Sequence, residues 1–490
     1  MAPAAPFLPG IETTICGRAR AKTAARAAAA TDAFHRASLC ALARIFRAWI
    51  PDALLAPAVS GAHSRRRVFS FPVTFWAFLS QMLSPNTPCR AALDKVIAWC
   101  ALKDRPLPST NTAAYCKARL ALPLGQLHAV NDSVAATMEQ RVPADDLWHG
   151  RRVVGADGTG LSMPDTPANQ KKYPQPSGQK KGCGFPVVKI VAFFSLASGA
   201  LLAWTEGTWR QQDSRLWRAL WHILLPGDVA LGDRAFCSFA SIAFLRAIKV
   251  DSVFRLHQGR SLPKFARGSC ECLVTWHKPI RPKSWTAKIW KTLPDTIVVR
   301  IVKASLSIPG FRTQHILLAT SLLDPKEYPA KDIADLYRRR WAVELFFRDI
   351  KTSMRMDVLA GMTPAMVQRE TAMFAIAYNL LRALIQDAAN AYRADLSRIS
   401  FKGTADRLRE WCASCAQELL RPSRFPKLYA DLVFLIAKDL VPLRPGRSEP
   451  RALKRRPKPY SSLTKPRHKM RVPPHRGRPN RQKPRSPLAA

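Results

Sequence analysis

The chain has 490 residues and is 47% hydrophobic, enough to bury a sizeable core and to build two or three domains. Lys and Arg number 77 against 34 Asp and Glu, a formal net charge of +43, which points to a polyanionic partner, with nucleic acid the usual one. A membrane surface is the competing partner, but it needs an anchor, and the sequence argues against one. The first twenty residues carry no continuous apolar run of the kind a secretory signal requires. The most apolar stretch, Phe185 to Trp204, contains Lys189 and a Ser-Gly pair, and reads as two buried strands joined by a turn. Eleven scattered cysteines suit a reducing cytosol better than a disulfide framework. Cys412 and Cys415 form a CxxC pair with no partner pair or His at zinc spacing, so they read as half-buried thiols.

In chain order, residues 1–20 read as a flexible arm and 21–146 as a helical region suited to binding DNA. Within it Ala21 to Ile50 is rich in Ala, Leu and Arg at helical spacing. Ser109 or Thr110 is placed to cap a short helix carrying Tyr115, Lys117 and Arg119, either a recognition helix for a DNA groove or a solvated face. The pattern changes at residues 147–258, where the order is strand, strand, strand, helix, strand, helix, strand. The first three strands form an antiparallel meander and the later ones join through helical crossovers, giving a mixed sheet covered by helices. That α/β order resembles a ribonuclease H-like fold. Residues 259–324 alternate as strands and read as an all-β insertion. Residues 325–395 return to helix, residues 396–441 continue it, and residues 442–490, rich in Pro and Arg, read as a disordered basic tail that grips phosphates without reading sequence.

The stretch Tyr337 to Met354 has helical rhythm. At about 100° per residue, Arg340, Glu344, Arg348 and Lys351 fall within an arc of about 80° around Tyr337. Leu336, Val343, Phe346, Phe347, Ile350 and Met354 form an apolar stripe beside it. Alone this face is equally a solvated one, with Glu344 and Arg348 as an i,i+4 pair. Two further carboxylates shift the balance. Asp157, in "GADGTG", and Asp233, in "LGDRAF", are each read at the end of an apolar strand. An Asp there is costly unless something pairs it, and Mg²⁺ or Mn²⁺ takes carboxylate oxygens. Two such ions can activate an attacking oxygen and stabilise a leaving one on phosphorus. The plainer alternative is that both aspartates cap turns beside glycine, the role also expected of their rival Asp228; Asp165 is the other rival carboxylate.

Tyr337, Arg340, Glu344 and Lys351 together give Tyr-x2-Arg-x3-Glu-x6-Lys. With "GADGTG" and "LGDRAF" before it in order, the chain resembles the DDE transposases of bacterial insertion sequences, in the IS4-type group known by its Tyr-Arg-Glu-Lys signature, over about residues 60 to 395. The resemblance implies a metal-binding catalytic triad of Asp157, Asp233 and Glu344, loaded with Mg²⁺ or Mn²⁺, two ions. It implies that Arg340 and Lys351 hold phosphates near the cleaved bond and that Tyr337 contacts a phosphate or packs by the glutamate; Arg234 and Arg348 are further phosphate candidates. Some members of the group stack a flipped base on a Trp of the β insertion, where Trp276, Trp285 and Trp290 lie in this chain, although tryptophans in a small β region more often belong to the core. The function implied is a DNA transposase, bacterial, cytoplasmic and nucleoid-associated. It would bind terminal inverted repeats as a homodimer, cleave with divalent metal and transfer the 3′-OH to target DNA. The alternatives are a metal-dependent structure-specific nuclease of the same fold and an inactive DNA-binding remnant.

Overall fold

The computed structural model describes residues 38–56, 68–84, 88–102, 105–257, 259–260, 265–306, 314–418, 422–443, 463–466 and 469–470. The expected arm at 1–20, most of the expected helix at 21–50 and most of the basic tail lie outside the described residues.

A mixed sheet forms the centre. Strands β1 (Val153–Ser162), β2 (Val187–Ser195) and β3 (Leu201–Thr208) make the antiparallel meander, and β4 (Val229–Gly232) and β5 (Asp251–Arg255) join it in parallel on the far side of β1. Parallel neighbours need crossovers, supplied here by the helices Asp213–Arg218 and Phe239–Ala247. The order β3-β2-β1-β4-β5, with helices on both sides of the chain's connections, is the ribonuclease H-like arrangement that the sequence predicts. The meander forms because β2 and the first half of β3 (Leu201 to Trp204) are apolar on both faces, and Gly199, at φ +73°, makes the turn that a side-chain-bearing residue would strain.

Strands β6 (Glu271–His277), β7 (Thr296–Leu306) and β8 (Gln314–Thr320) follow. β8 pairs antiparallel with β5, Val253 opposite Thr320, so the sheet runs on as β5-β8-β7-β6 and contains eight strands. The segment expected to be all-β also carries a short helix, Ala287–Thr292, capped by Thr286 and holding Trp290 inward. Trp276, Trp285 and Trp290 are all buried; Trp285 and Trp290 meet at 6.0 Å, and the Arg260 guanidinium lies 3.4 Å above the Trp276 ring.

The helical layer is organised by one long helix, Pro364–Tyr392, buried along most of its length. Thr363 caps it by accepting the Met366 N–H, with Pro364 at the first turn, and Arg393 closes it in the left-handed region. It packs on Leu124–Gln140 through a buried amide pair, Asn379 Nδ2 donating to Asn131 Oδ1 at 2.9 Å. The short helix Ala113–Ala121 differs from the expectation placed on it. Tyr115 and Arg119 point into the protein, both donating to Gln81 Oε1, at 2.8 and 3.0 Å, and only Lys117 of the three is exposed. An aromatic ring and an arginine stem bury more favourably against Phe78 than they solvate, so this face is neither a DNA-reading nor a solvated one. Nor do Ser109 and Thr110 cap it: Asn111 Oδ1 accepts the Ala113 N–H instead.

Candidate active site

The helical stretch with the Tyr-Arg-Glu-Lys spacing is not one continuous helix. Helix α1 (Ala330–Arg339) ends at Arg340, α2 (Trp341–Arg348) follows, and Asp349–Ser353 forms a π turn. The widened turn is closed by Met354 N–H donating to Asp349 O and by Met356 N–H donating to Ile350 O. Such a turn changes the angular step per residue, so the regular 100° projection no longer describes Lys351. The apolar stripe is as the sequence predicts: Leu336, Val343, Phe346, Phe347, Ile350 and Met354 are buried.

What seats α2 over the sheet is Gly155. A Cβ on that residue would lie 2.5 Å from Val343 Cγ2, a distance carbon atoms do not tolerate, so only glycine lets the helix approach β1 this closely. The turn of helix after Val343 then presents Glu344 above the strand that carries Asp157. Asp157 is mid-strand, opposite Ala192, rather than at a strand end; β1 continues to Ser162 because β2 pairs with it throughout. The glycines of "GADGTG" therefore serve close packing within a strand and do not make a turn. Asp233 lies immediately after β4, where its Oδ1 accepts the Ala235 N–H at 2.8 Å.

Arg340 joins the acids. Its side chain is 10% exposed; Nη2 donates to Glu344 Oε1 at 2.7 Å and Nη1 lies 3.9 Å from Asp157 Oδ2. Its Cζ is 5.8 Å from the centre of the Tyr337 ring, which is buried beside it, and its buried Nε has no hydrogen-bond partner among the described residues. Burial pushes the Asp157 carboxyl up to about 6. The Gly158 N–H and Arg340 act against that rise, and the charges of Asp233 and Glu344 add to it. Asp157 thus feels the charges of both other carboxylates across the gap between β1, the end of β4 and α2. Tyr337 is also held above its ordinary value, by burial first, with Arg340 and Arg255 opposing and Asp233 adding.

Lys351 reaches the same strand further on, Nζ donating to Thr159 Oγ1 at 3.1 Å and to Gly160 O at 3.4 Å. Arg348 is exposed and stands 3.8 Å from Asp349 Oδ1. Among the described residues no ion pair joins it to Glu344, whose partner is Arg340 on the preceding turn. Arg234 is exposed beside Asp233. The rival carboxylates are accounted for elsewhere: Asp228 is buried and clamped by Arg152 at 2.9 and 2.6 Å while accepting the Leu225 N–H, and Asp165 is exposed and accepts from Gln170.

Sequence reasoning missed the support beneath α2. Asp349 and Arg382 form a buried ion pair at 2.7 Å; Arg382 Nε also donates to the Tyr378 hydroxyl, which in turn donates to Gly199 O. The signal was available, since Asp349 interrupts the apolar stripe and Arg382 interrupts "NLLRALI", and a charge in an apolar run implies a partner.

The donor set at the site is chemically suited to a hard divalent cation, being three carboxylates without thiol or imidazole. Among the described residues no three acidic, Cys or His groups are gathered closely enough to hold an ion as they stand, and Arg340 is the cation that contacts two of the three acids. Burial pushes the thiols of Cys412 and Cys415 up to about 12 and about 11. Among the described residues no helix is long and apolar enough to cross a membrane.

Comparison with known proteins relates this chain to a family. Residues 148–380 match the model of the transposase DDE domain. The chain is 24% identical over 419 residues to the transposase InsG for insertion sequence element IS4 of Escherichia coli strain K12, covering 82% of this chain and 89% of that protein. A shorter segment of 72 residues is 42% identical to a probable transposase for insertion sequence element IS5377 of Geobacillus stearothermophilus, covering 15% of this chain and 19% of that one. A solved piggyBac transposase in a synaptic complex with hairpin DNA aligns over 84% of this chain and 87% of that chain at 10% identity, with a TM-score of 0.39, too slight a likeness to carry an argument. The DDE family implies use of divalent metal and of DNA as substrate. The match to the transposase DDE domain and the likeness to InsG over most of the chain support a DDE transposase of the IS4 type, with the signature residues on β1, just after β4 and on α2.

Proposed function

We propose that Asp157, Asp233 and Glu344 are the catalytic carboxylates of this transposase and that they hold two Mg²⁺ or Mn²⁺ ions. The observation that carries the reading is one buried arginine that contacts two of the acids, Asp157 on β1 and Glu344 on α2, with Asp233 just after the neighbouring strand β4. Divalent metal at such oxygens supplies Lewis-acid activation of the attacking and leaving oxygens of an in-line displacement on phosphorus. The chain's own residues orient the DNA. Arg340 and Lys351 hold phosphates near the reacting one, Tyr337 walls the site, and Arg234 and Arg348 are further phosphate contacts. Hydrolysis frees a 3′-OH, and a second displacement joins it to target DNA. Two ends brought together require two copies of the chain. The net charge of +43 supplies the sequence-independent part of DNA affinity.

The test is Glu344→Gln. It removes a ligand charge and leaves size and helix intact, so cleavage should disappear while binding to the element end stays near wild type. Cleavage at the wild-type rate in Mg²⁺ would show that Glu344 is not a ligand. A cut donor end with supercoiled target then separates a transposase from a nuclease, because only the former joins them.

A further inference from the structure

Arg340 is proposed to hold a phosphate, yet its guanidinium contacts protein acids. Nη2 is hydrogen-bonded to Glu344 Oε1, Nη1 faces Asp157 Oδ2, and both acids belong to the proposed metal set. A divalent ion coordinates carboxylate oxygens at about 2.0–2.1 Å if it is Mg²⁺. A guanidinium on the same oxygens and an ion among them are like charges within a few ångströms, so each weakens the other's hold.

We propose that Arg340 competes with divalent metal for Asp157 and Glu344, so that loading of the acids and release of Arg340 toward DNA phosphate are one coupled event; this rests on the reading of the triad above. Three features support an exchange over a fixed pair. First, the guanidinium is incompletely satisfied where it lies, because its buried Nε has no acceptor among the described residues. A phosphate offers the fork of acceptors that this position lacks. Second, Arg340 sits at the junction between α1 and α2, outside the regular run of either helix. Third, its partner Glu344 is 55% exposed, so the pair can part without opening the core. The device gives order to the reaction. Without DNA, Arg340 screens the acids and holds metal affinity down. When a phosphate draws the guanidinium away, the acids gain affinity for metal, and hydrolytic capacity arises where substrate is present. By linkage the effect is reciprocal, and metal loading raises the affinity of Arg340 for phosphate.

The alternative is that Arg340 orients Glu344 from behind and so strengthens metal binding. The two predict opposite signs. Mn²⁺ binding is measured calorimetrically on the DNA-free full chain, as wild type, Arg340→Ala, Arg340→Gln and, as a control for loss of a nearby exposed charge, Arg339→Ala, with circular dichroism to verify folding. Arg340→Gln keeps the length of the side chain and serves if the alanine variant folds poorly. Competition predicts roughly tenfold tighter Mn²⁺ in either Arg340 variant and a change of less than about twofold in Arg339→Ala. Unchanged or weaker binding in a folded Arg340 variant overturns the proposal. Failure of the underlying reading has its own signature: Mn²⁺ binding by Glu344→Gln at wild-type strength would mean that the carboxylates assigned here are not the ligands, whatever Arg340 does.

Discussion

Gly155 offers a sharp test of how the site is assembled. Its backbone is ordinary extended strand, so Gly155→Ala carries no conformational strain and should by itself stabilise by about 0.4–1 kcal/mol through the unfolded chain. Against that stands the 2.5 Å approach to Val343 Cγ2. Ordinary carbon contact lies near 3.5 Å, so α2 must retreat by about 1 Å or Val343 must leave its rotamer. Overpacking of this kind costs about 1–3 kcal/mol, which outweighs the gain. The same retreat moves Glu344 off Asp157, and a misplacement of about 1 Å can slow a positioned reaction by about a hundredfold. Val343→Ala removes the clashing methyl; alone it costs about 2 kcal/mol as a buried truncation. The double variant should therefore be no less stable than Val343→Ala alone and should regain much of the lost cleavage, a coupling that independent sites would not show. Urea denaturation and single-turnover cleavage of an end-containing duplex measure both quantities. Wild-type stability and rate in Gly155→Ala would refute the close-approach argument, and strictly additive costs in the double variant would place the clash elsewhere.

Other outcomes follow from the same geometry. Arg340→Ala and Lys351→Ala should each slow single-turnover cleavage by about ten- to a hundredfold, through loss of about 1.5–3 kcal/mol of charge-assisted contact, whereas the exposed Arg339→Ala should change it little; equal rates in all three would remove the phosphate-holding role. Asp349→Ala leaves the Arg382 guanidinium buried without its carboxylate and should cost about 3–5 kcal/mol in urea denaturation, with Asp349→Leu combined with Arg382→Met recovering most of it. Asp157 carries a pH dependence of definite sign: its folded pKa is raised from 3.8 to about 6, so its favourable contribution is complete below the lower value and is lost as pH rises through the upper one. With divalent metal chelated, the wild type should lose up to about 3 kcal/mol more stability than Asp157→Asn across that window, by denaturation of both at pH 4 and pH 8; the buried carboxylates the two share, such as Glu139 and Glu370, cancel in the difference.

Much of the fold was legible because its signals are local. The meander of β1 to β3 follows from apolar runs broken by Ser-Gly, and the burial of Leu336, Val343 and Phe347 follows from helical spacing. What escaped the sequence depends on distant partners. The glycines around Asp157 look like a turn until β2 is known to pair along the whole strand. Tyr115 and Arg119 look like a polar helix face until Gln81 and Phe78 are brought beneath them. The position of Lys351 depends on a π turn, and the ion pair between Asp349 and Arg382 spans helices whose adjacency no short window reveals. The three acids and their arginine were read from spacing and resemblance; the reason α2 can bring Glu344 near Asp157, a missing methyl at Gly155, is a property of packing.

The pairing of β8 with β5 makes the region between them a hem on the central sheet. Val253, Phe254 and Arg255 would otherwise present backbone donors and acceptors to water along an open margin. Cutting out residues 259–324 would expose that margin as a template for other chains, so a shortened transposase should self-associate through strand addition before it loses its acids. A swap of this segment between relatives would succeed only where the incoming piece brings its own strand to lie against β5.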